Sequence, residues 1–198
     1  MKSVKCMNLR WVLAIAVSLA PSFAIARVTS PLGRQERPQR RGPATPKLWE
    51  DTEGQFALAR PESGRWSFQS SVKAPDGQSV PLFAFAQESG AQLVVQSADG
   101  ISDVRTLARI LNDNLGKQDA VRVESIERLL ARGGDAFGFE FTVAEETRGR
   151  VAVVRTGDRI ALVIASWPFG APPEVVDDVN EMIGSLGPVP GTLAPGVF

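Results

Sequence analysis

The most constraining feature of this sequence is the stretch from Phe137 to Trp167, FGFEFTVAEETRGRVAVVRTGDRIALVIASW, which alternates in the manner of β-strands. It predicts strands near residues 135–144, 148–156 and 159–167, with a tight hairpin turn at 157–158 between the last two. In the last strand two apolar sets point in opposite directions: Ile160, Leu162 and Ile164 on one side, and Ala161, Val163 and Ala165 on the other. Apolar residues on both sides indicate that both faces of the sheet are covered.

Two amphipathic helices are available to cover those faces. The first is predicted to begin at Ser102, to end at Gly116 and to bury one stripe: Val104, Leu107, Ala108, Leu111 and Leu115. The second is predicted to begin at Pro172-Pro173 and to stop at Gly187-Pro188, and its inward stripe is Val176, Val179, Ile183 and Leu186. The predicted class is therefore α+β, an antiparallel sheet of six to eight strands between helices, an α/β/α sandwich.

Further strands are predicted at QFALA, RWSFQ, VPLFAFAQ and AQLVVQS, and residues 88–90 form a hairpin connection between the last two. The segment AVRVESIERLLARGG, which includes residues 121–131, has the composition of either a helix or a strand. A strand is favoured because Gly133-Gly134 would form a hairpin into the phenylalanine-rich run.

The first 26 residues have the pattern of a signal peptide. Three basic residues precede the apolar run WVLAIAVSLA, which is too short to cross a hydrocarbon core of about 30 Å. Residues 24–26 form a small-x-small site, so cleavage is predicted after Ala26, with a retained N-terminal anchor as the alternative. Cys6 precedes the apolar run, where a lipoprotein cysteine would not lie. We therefore expect an exported protein, periplasmic or secreted, with no transmembrane segment after cleavage.

Charge is unevenly distributed along the remaining chain. Residues 27–47 hold six Lys or Arg against one Glu, a net charge of +5, and are predicted to be a disordered, Pro/Arg-rich linker. Residues 48–187 hold 13 Lys or Arg against 21 Asp or Glu, a net charge of −8, and form the single predicted domain, followed by a flexible Pro/Gly tail at 188–198. An acidic domain argues against nucleic-acid binding.

Four linker residues are candidates for contact with anionic lipid or envelope polymer: Arg34, Arg37, Arg40 and Arg41. The alternatives are a solvated spacer and a segment lying over the acidic domain.

Residue types that are missing exclude much of enzyme chemistry. The sequence has no histidine, and its one cysteine lies in the predicted signal peptide. Thiol nucleophiles, histidine acid–base catalysis and the usual zinc ligand sets are therefore excluded from the mature chain. No nucleotide-binding motif is present, and no cofactor is expected. Glu140, Glu145 and Glu146 are the ligand types for a hard cation, but a solvated hairpin loop balanced by Arg148 and Arg150 is favoured.

Aromatic residues at strand ends are the candidates for a partner or ligand surface. Trp167 and Phe169 close the last strand, and Trp66 opens an earlier one. Aromatic side chains in such positions line grooves or anchor partners. The alternative is that they plug the end of the core.

Several segments share their order with a known superfamily: FALARPESGRW as entry strand and turn, AQLVVQSADGISDVRTLARILNDNLG as strand and helix, LLARGGDAFGFEFTV as a glycine turn and long strand, GRVAVVRTGDRIALVIAS as a hairpin, and EVVDDVNEMIGSLGPV as the closing helix. Over about residues 54–187 this order resembles the Mog1/PsbP-like superfamily, including its PsbP-like and DcrB-like exported bacterial proteins. The resemblance implies a non-enzymatic accessory or binding protein with no catalytic residues to carry over. Its GTPase and photosystem roles are not expected here, because the chain has no partner-specific motif.

Three functions are therefore considered. The first is an exported, non-enzymatic binding or accessory protein whose partner is a protein or an envelope component. The second is an envelope-associated module attached through the arginine-rich linker. The third is a hydrolase whose site has no recognisable motif.

Overall fold

The computed structural model describes residues 48–51, 56–73, 79–98 and 102–190. Its strands are β1 (Leu48–Glu50), β2 (Ala57–Ala59), β3 (Trp66–Lys73), β4 (Ser79–Ala86), β5 (Ala91–Ser97), β6 (Val121–Val123), β7 (Glu127–Ala131), β8 (Gly134–Val143), β9 (Thr147–Thr156) and β10 (Arg159–Pro168). Its helices are α1 (Val104–Leu115) and α2 (Pro173–Ser185).

Eight of these strands form one antiparallel sheet, in the order β3-β4-β5-β10-β9-β8-β6, with β7 also paired to β8. The remaining pair, β1 and β2, is a separate antiparallel ribbon. The ambiguous segment 121–131 thus contains two strands, as favoured, since both β6 and β7 pair with β8. The predicted hairpin at 157–158 is also confirmed: Thr156 pairs with Arg159, and Gly157 supplies the positive φ of 79° that the turn requires.

One face of the sheet, here called the α2 face, is covered by α2 and the β1–β2 ribbon. Its floor is rich in small residues: Ala84, Ala86, Ala91, Ala136, Ala152, Ala161 and Ala165 are all buried there. Small side chains let a helix approach the strands closely, and large residues of the covering elements, such as Phe56, Leu58 and Met182, are buried against them.

The opposite face, here called the α1 face, is covered over β6, β8 and β9 by α1. The five predicted stripe residues of α1 are all buried, and they pack on Phe139, Phe141, Val151, Val153 and Leu162. Leu162 and Val163 are neighbours in β10 that point in opposite directions, and each is only 1% exposed. The expectation that both faces are covered is therefore confirmed, and the class is α+β as predicted.

Three details differ from the sequence predictions. The short strand β1 was not predicted. Asp103, not Ser102, caps α1, because its carboxylate accepts a hydrogen bond from the Thr106 backbone N–H. Hydrogen bonding to the side chain of Thr106 and then to its backbone lowers the pKa of Asp103. In the predicted stripe of α2, Val179, Ile183 and Leu186 are buried, but Val176 is only partly buried and Val175 is buried in its place. The buried positions of the helix are Val175, Asp178, Val179, Met182 and Ile183.

Candidate functional site

Backbone strain concentrates at one end of the sheet. Ala120, Ala144 and Glu145 have φ angles of 63°, 49° and 61°, and among the described residues they are the non-glycine positions with positive φ. The Ala144 N–H donates to the Ala120 carbonyl at 2.9 Å, so the strained residues lie side by side. Such conformations cost on the order of 1–3 kcal/mol each and persist where surrounding structure enforces them, often at functional sites.

The loop that follows β10 lies against this strained turn. The Phe169 N–H donates to the Glu146 carbonyl at 2.8 Å, and the Phe169 side chain is 55% exposed. The turn between β4 and β5 borders the same region, since a Cβ on Gly90 would lie 3.6 Å from Pro168 Cγ. We call this region, the turn 144–146 with the loop 168–171, the Phe169 end.

A cation is stacked on the exposed ring. The Arg148 guanidinium carbon lies 4.3 Å from the centroid of the Phe169 ring, which is within the range of a cation–π interaction. At an exposed site such a contact contributes about 0.5–1 kcal/mol. Within the part of the chain that the structure describes, no carboxylate forms an ion pair with Arg148. The Arg148 side chain is exposed at the surface.

Two of the three acidic residues considered as cation ligands, Glu140 and Glu145, are instead paired with arginines. The Glu145 carboxylate lies 3.3 Å from an Arg122 nitrogen, and both side chains are exposed. Glu140 pairs with Arg150, which also contacts Glu127 at 3.7 Å. Within the described ranges, no group of three or more His, Cys, Asp or Glu side chains is arranged to hold a metal ion.

The two candidate tryptophans are core residues. Trp66 is 8% exposed and Trp167 is 4% exposed, and both belong to the α2-face cluster. This placement corresponds to the alternative in which aromatic residues plug the core, so neither indole ring is available as a surface contact. Of the three aromatic candidates, Phe169 is the one at the surface.

A buried carboxylate that sequence reasoning did not single out organises the region around Trp66. Asp178 Oδ2 accepts hydrogen bonds from Trp66 Nε1 at 2.9 Å and from Ser63 Oγ at 2.8 Å. Arg65 Nε lies 3.0 Å from the same oxygen but is not aligned for a hydrogen bond, so its contribution is electrostatic. The sequence does indicate a buried carboxylate here, because Asp178 lies within the apolar stripe between Val175 and Met182. We interpret this cluster as structural: it fixes the β2–β3 connection to α2.

A second carboxylate near that cluster, that of Glu181, has its pKa shifted by burial. Desolvation raises the pKa of Glu181, and the nearby carboxylates of Asp178 and Glu62 raise it further. Glu181 lies on an exposed position of α2, so it is a pH-sensitive neighbour of the cluster and not part of its core.

The linker candidates Arg34, Arg37, Arg40 and Arg41 lie outside the described residues, so their contact with an anionic surface stays a prediction. Among the residues that the structure describes, no helix is long and apolar enough to cross a membrane.

Comparison with known proteins shows similarity of fold. The sequence matches no family model, and no curated protein is significantly similar to it. The structure is similar to cyanobacterial PsbP (CyanoP) from Synechocystis sp. PCC 6803, with 12% identity and a TM-score of 0.47, over 79% of this chain and 100% of that one. It is similar to the Ran-binding protein Mog1p of Saccharomyces cerevisiae, with 13% identity and a TM-score of 0.48, over 72% and 94% of the two chains.

A third similarity is to LpqN of Mycobacterium tuberculosis, a protein involved in cell envelope biogenesis, with 13% identity and a TM-score of 0.44, over 76% and 88% of the two chains. All three have the Mog1/PsbP-like fold that the sequence resembles. Similarity at this level concerns the fold alone and says nothing about function.

Proposed function

We propose that this protein is an exported, non-enzymatic accessory protein that binds a protein partner through Phe169 and Arg148. The observation that carries the proposal is the exposed aromatic ring with a guanidinium group stacked on it. Binding energy at protein interfaces concentrates in a few residues, among which aromatic residues and arginine are common. A partner that covers the ring would remove its apolar surface from water.

The geometry also favours a partner that carries a carboxylate beside an apolar group. Arg148 is stacked on the ring, and no described carboxylate pairs with it. A carboxylate can accept two parallel hydrogen bonds from a planar guanidinium group. The hydrogen bond from the Phe169 N–H to the Glu146 carbonyl ties the loop to the turn, which reduces the ordering required on binding.

A binding role agrees with the residue types in the chain. There is no histidine, and Cys6 precedes the predicted cleavage site. The acidic residues near the Phe169 end are exposed or paired with arginine, an arrangement that supports a solvated protein surface and not a catalytic centre.

The proposal also places the mature protein outside the cytoplasm, after export and cleavage of the signal peptide. The mature protein should begin at Arg27, which intact-mass measurement of the exported form would test. Recovery of the protein only in the cytoplasm, still beginning at Met1, would contradict this part.

Binding is tested by capture from an envelope extract with immobilised protein. We expect Phe169→Ala and Arg148→Ala each to lose a specific captured protein that the unmodified chain retains. Leu130→Ala is the matched control, because Leu130 is 93% exposed on β7 and should leave capture unchanged. Equal capture by all three variants would reject the Phe169 end as the binding surface.

The arginine-rich linker gives a second candidate function, attachment to an anionic envelope surface. Its support is the net charge of +5 over residues 27–47 against −8 over residues 48–187. Attraction of about 1 kcal/mol per basic residue near a charged bilayer would make binding to anionic vesicles strongly salt-dependent. Deletion of residues 27–47 should abolish that binding, and unchanged binding would reject this candidate.

A further inference from the structure

Two arginines lie in one row across the strands that reach the Phe169 end. Arg122 of β6 pairs with Thr142 of β8, and Thr142 pairs with Arg148 of β9. Arg148 pairs in turn with Trp167 of β10, which belongs to the α2-face core. Residues in register on neighbouring strands direct their side chains to the same face of a sheet. Arg122, Thr142 and Arg148, here called the arginine row, therefore point to the α2 face.

The alternation within β6 and β8 gives the same direction. The residues on either side of Arg122 in β6, and on either side of Thr142 in β8, pack in the α1-face cluster. Successive side chains of a strand point to opposite faces, so Arg122 and Thr142 point away from that cluster. Adjacent strands lie about 4.8 Å apart, so two strand spacings separate the backbones of Arg122 and Arg148 by about 10 Å.

The arginine row is at the surface of the described structure. The Arg122 side chain is 81% exposed, Arg148 is exposed and Thr142 is half-buried. Arg150 points to the same face one row further from the turn, but it is already paired with Glu140. The two arginines of the row are therefore the ones that a ligand at this end can reach.

The strand ends that border internal gaps in the described chain lie at the opposite end of the sheet. The row lies where β8 and β10 end. By contrast, β5 ends where it pairs with the start of β10, and Arg132, in the turn before β8, donates to the Ala57 carbonyl at the start of β2. The end of β3 and the start of β4 pair opposite to the Gly90 turn, which contacts the end of β10.

A carboxylate of the protein itself occupies one end of the row. The tight turn at Ala144 and Glu145 places the Glu145 carboxylate 3.3 Å from an Arg122 nitrogen. The two side chains are 81% and 73% exposed, so water and salt screen the ion pair. A pair that is held so weakly can exchange Glu145 for a carboxylate from another molecule.

We propose that the arginine row binds an acidic segment of the protein partner, and that Glu145 is a placeholder which this segment displaces from Arg122. The inference rests on the proposed function, because Arg148 and Phe169 belong to both. Two glutamates two residues apart in an extended segment lie on one side, about 7 Å apart, and long arginine side chains close the remaining distance. The Thr142 hydroxyl between the arginines can donate to either carboxylate.

The test is a nuclear magnetic resonance titration of the exported chain, in about 0.15 M salt, with the blocked peptide acetyl-Leu-Glu-Ser-Glu-amide. We expect the side-chain N–H signals of Arg122 and Arg148 and the amide signal of Thr142 to shift. The same peptide with lysine in place of glutamate should leave them unchanged. Arg122→Gln and Arg148→Gln should each weaken binding by about threefold to tenfold, because each removes one charged contact.

Glu145→Gln separates the placeholder from the general effect of charge. It should tighten binding by about threefold, because Arg122 is then free for the peptide. Glu124→Gln is the matched control. It removes an exposed carboxylate two residues from Arg122 that forms no ion pair within the described residues, and it should leave the affinity almost unchanged.

The inference is overturned if the glutamate peptide shifts no signal of the row, or shifts only signals of residues 27–47. It is also overturned if the lysine peptide shifts the row, if Arg122→Gln binds as the unmodified chain does, or if Glu145→Gln and Glu124→Gln have equal affinity. Capture from the envelope extract judges the proposed function separately. A captured protein that depends on Phe169 and Arg148 but not on Arg122 would keep that function and reject the arginine row.

Discussion

Replacement of Asp178 by alanine removes the carboxylate oxygen Oδ2, which three side chains contact. Trp66 Nε1 and Ser63 Oγ donate to it at 2.9 and 2.8 Å, and Arg65 Nε lies 3.0 Å away. Asp178 and Trp66 are each 8% exposed, so the variant removes the acceptor of an indole N–H at a buried position. We therefore expect the Asp178→Ala variant to be less stable than the unmodified protein.

The size of the effect follows from the three contacts. A buried N–H left without an acceptor costs about 1–3 kcal/mol. The Ser63 hydroxyl is exposed enough to bond to water, so its loss costs about 0.5–1 kcal/mol. The Arg65 side chain is 32% exposed, and screening limits the ion pair to about 0–1 kcal/mol. The free energy of unfolding should therefore fall by about 1.5–5 kcal/mol in Asp178→Ala.

Two matched variants separate the hydrogen bonds from the charge. Asp178→Asn keeps an oxygen acceptor for the indole and should cost about 1 kcal/mol. Asp177→Ala removes an exposed carboxylate from the next position of the same helix and should stay within about 0.5 kcal/mol. Urea unfolding followed by tryptophan fluorescence gives all three values. The reasoning is refuted if Asp178→Ala costs less than about 0.5 kcal/mol, or if the asparagine variant is as damaging as the alanine variant.

Three further predictions concern the faces of the sheet, a shifted pKa and a close backbone contact. Leu162→Ala should lower the free energy of unfolding by about 2–5 kcal/mol and Val163→Asp by at least as much, since each side chain is buried under a different covering layer. In urea melts, a tolerant Val163 would contradict the cover on the α2 face. Burial first, and then neighbouring carboxylates, raise the pKa of Glu181 above 4.5, so its ionised form disfavours folding above the unfolded pKa. Glu181→Gln should therefore raise Tm at pH 7 and not at pH 3.5, and an equal change at both would show that charge is not the cause. A Cβ on Gly133 would lie 1.9 Å from a backbone carbonyl oxygen of β9, whereas one on Gly170 meets nothing within 4 Å. Gly133→Ala should cost about 1–3 kcal/mol and Gly170→Ala almost nothing, and equal thermal melts would refute the close contact.

Much of the fold could be predicted because its strands and helices follow from the periodic spacing of apolar residues in the sequence. The strands of the hairpin ladder and the stripe of α1 follow from apolar spacing alone, and the apolar residues on both sides of β10 correctly indicated two covered faces. Residues 121–131 were ambiguous because their spacing fits both kinds of element. Only the pairing of β6 and β7 with β8, a tertiary contact, decides for strands. The three residues of β1 carry too few alternations to be detected.

The candidate site was less accessible to sequence reasoning. Phe169 was identified from its place at a strand end, and the same reasoning selected Trp66 and Trp167, which the core buries. Sequence position does not distinguish an aromatic plug from an exposed ring. The strained turn was also not predictable, because alanine and glutamate have no preference for positive φ; Ala144 and Glu145 adopt it as the central residues of the tight turn that the hydrogen bond from the Glu146 N–H to the Val143 carbonyl closes.

The most direct test of the proposed function is photo-crosslinking at the Phe169 end in the envelope fraction. A benzophenone analogue of phenylalanine placed at position 169 keeps an aromatic ring there, and the same analogue at position 130 reports on a distant and more exposed surface. The account predicts one discrete adduct from position 169, none from position 130, and loss of the adduct when Arg148→Ala is combined with the position 169 analogue. No adduct at position 169, or equal adducts at both positions, would contradict binding at the Phe169 end.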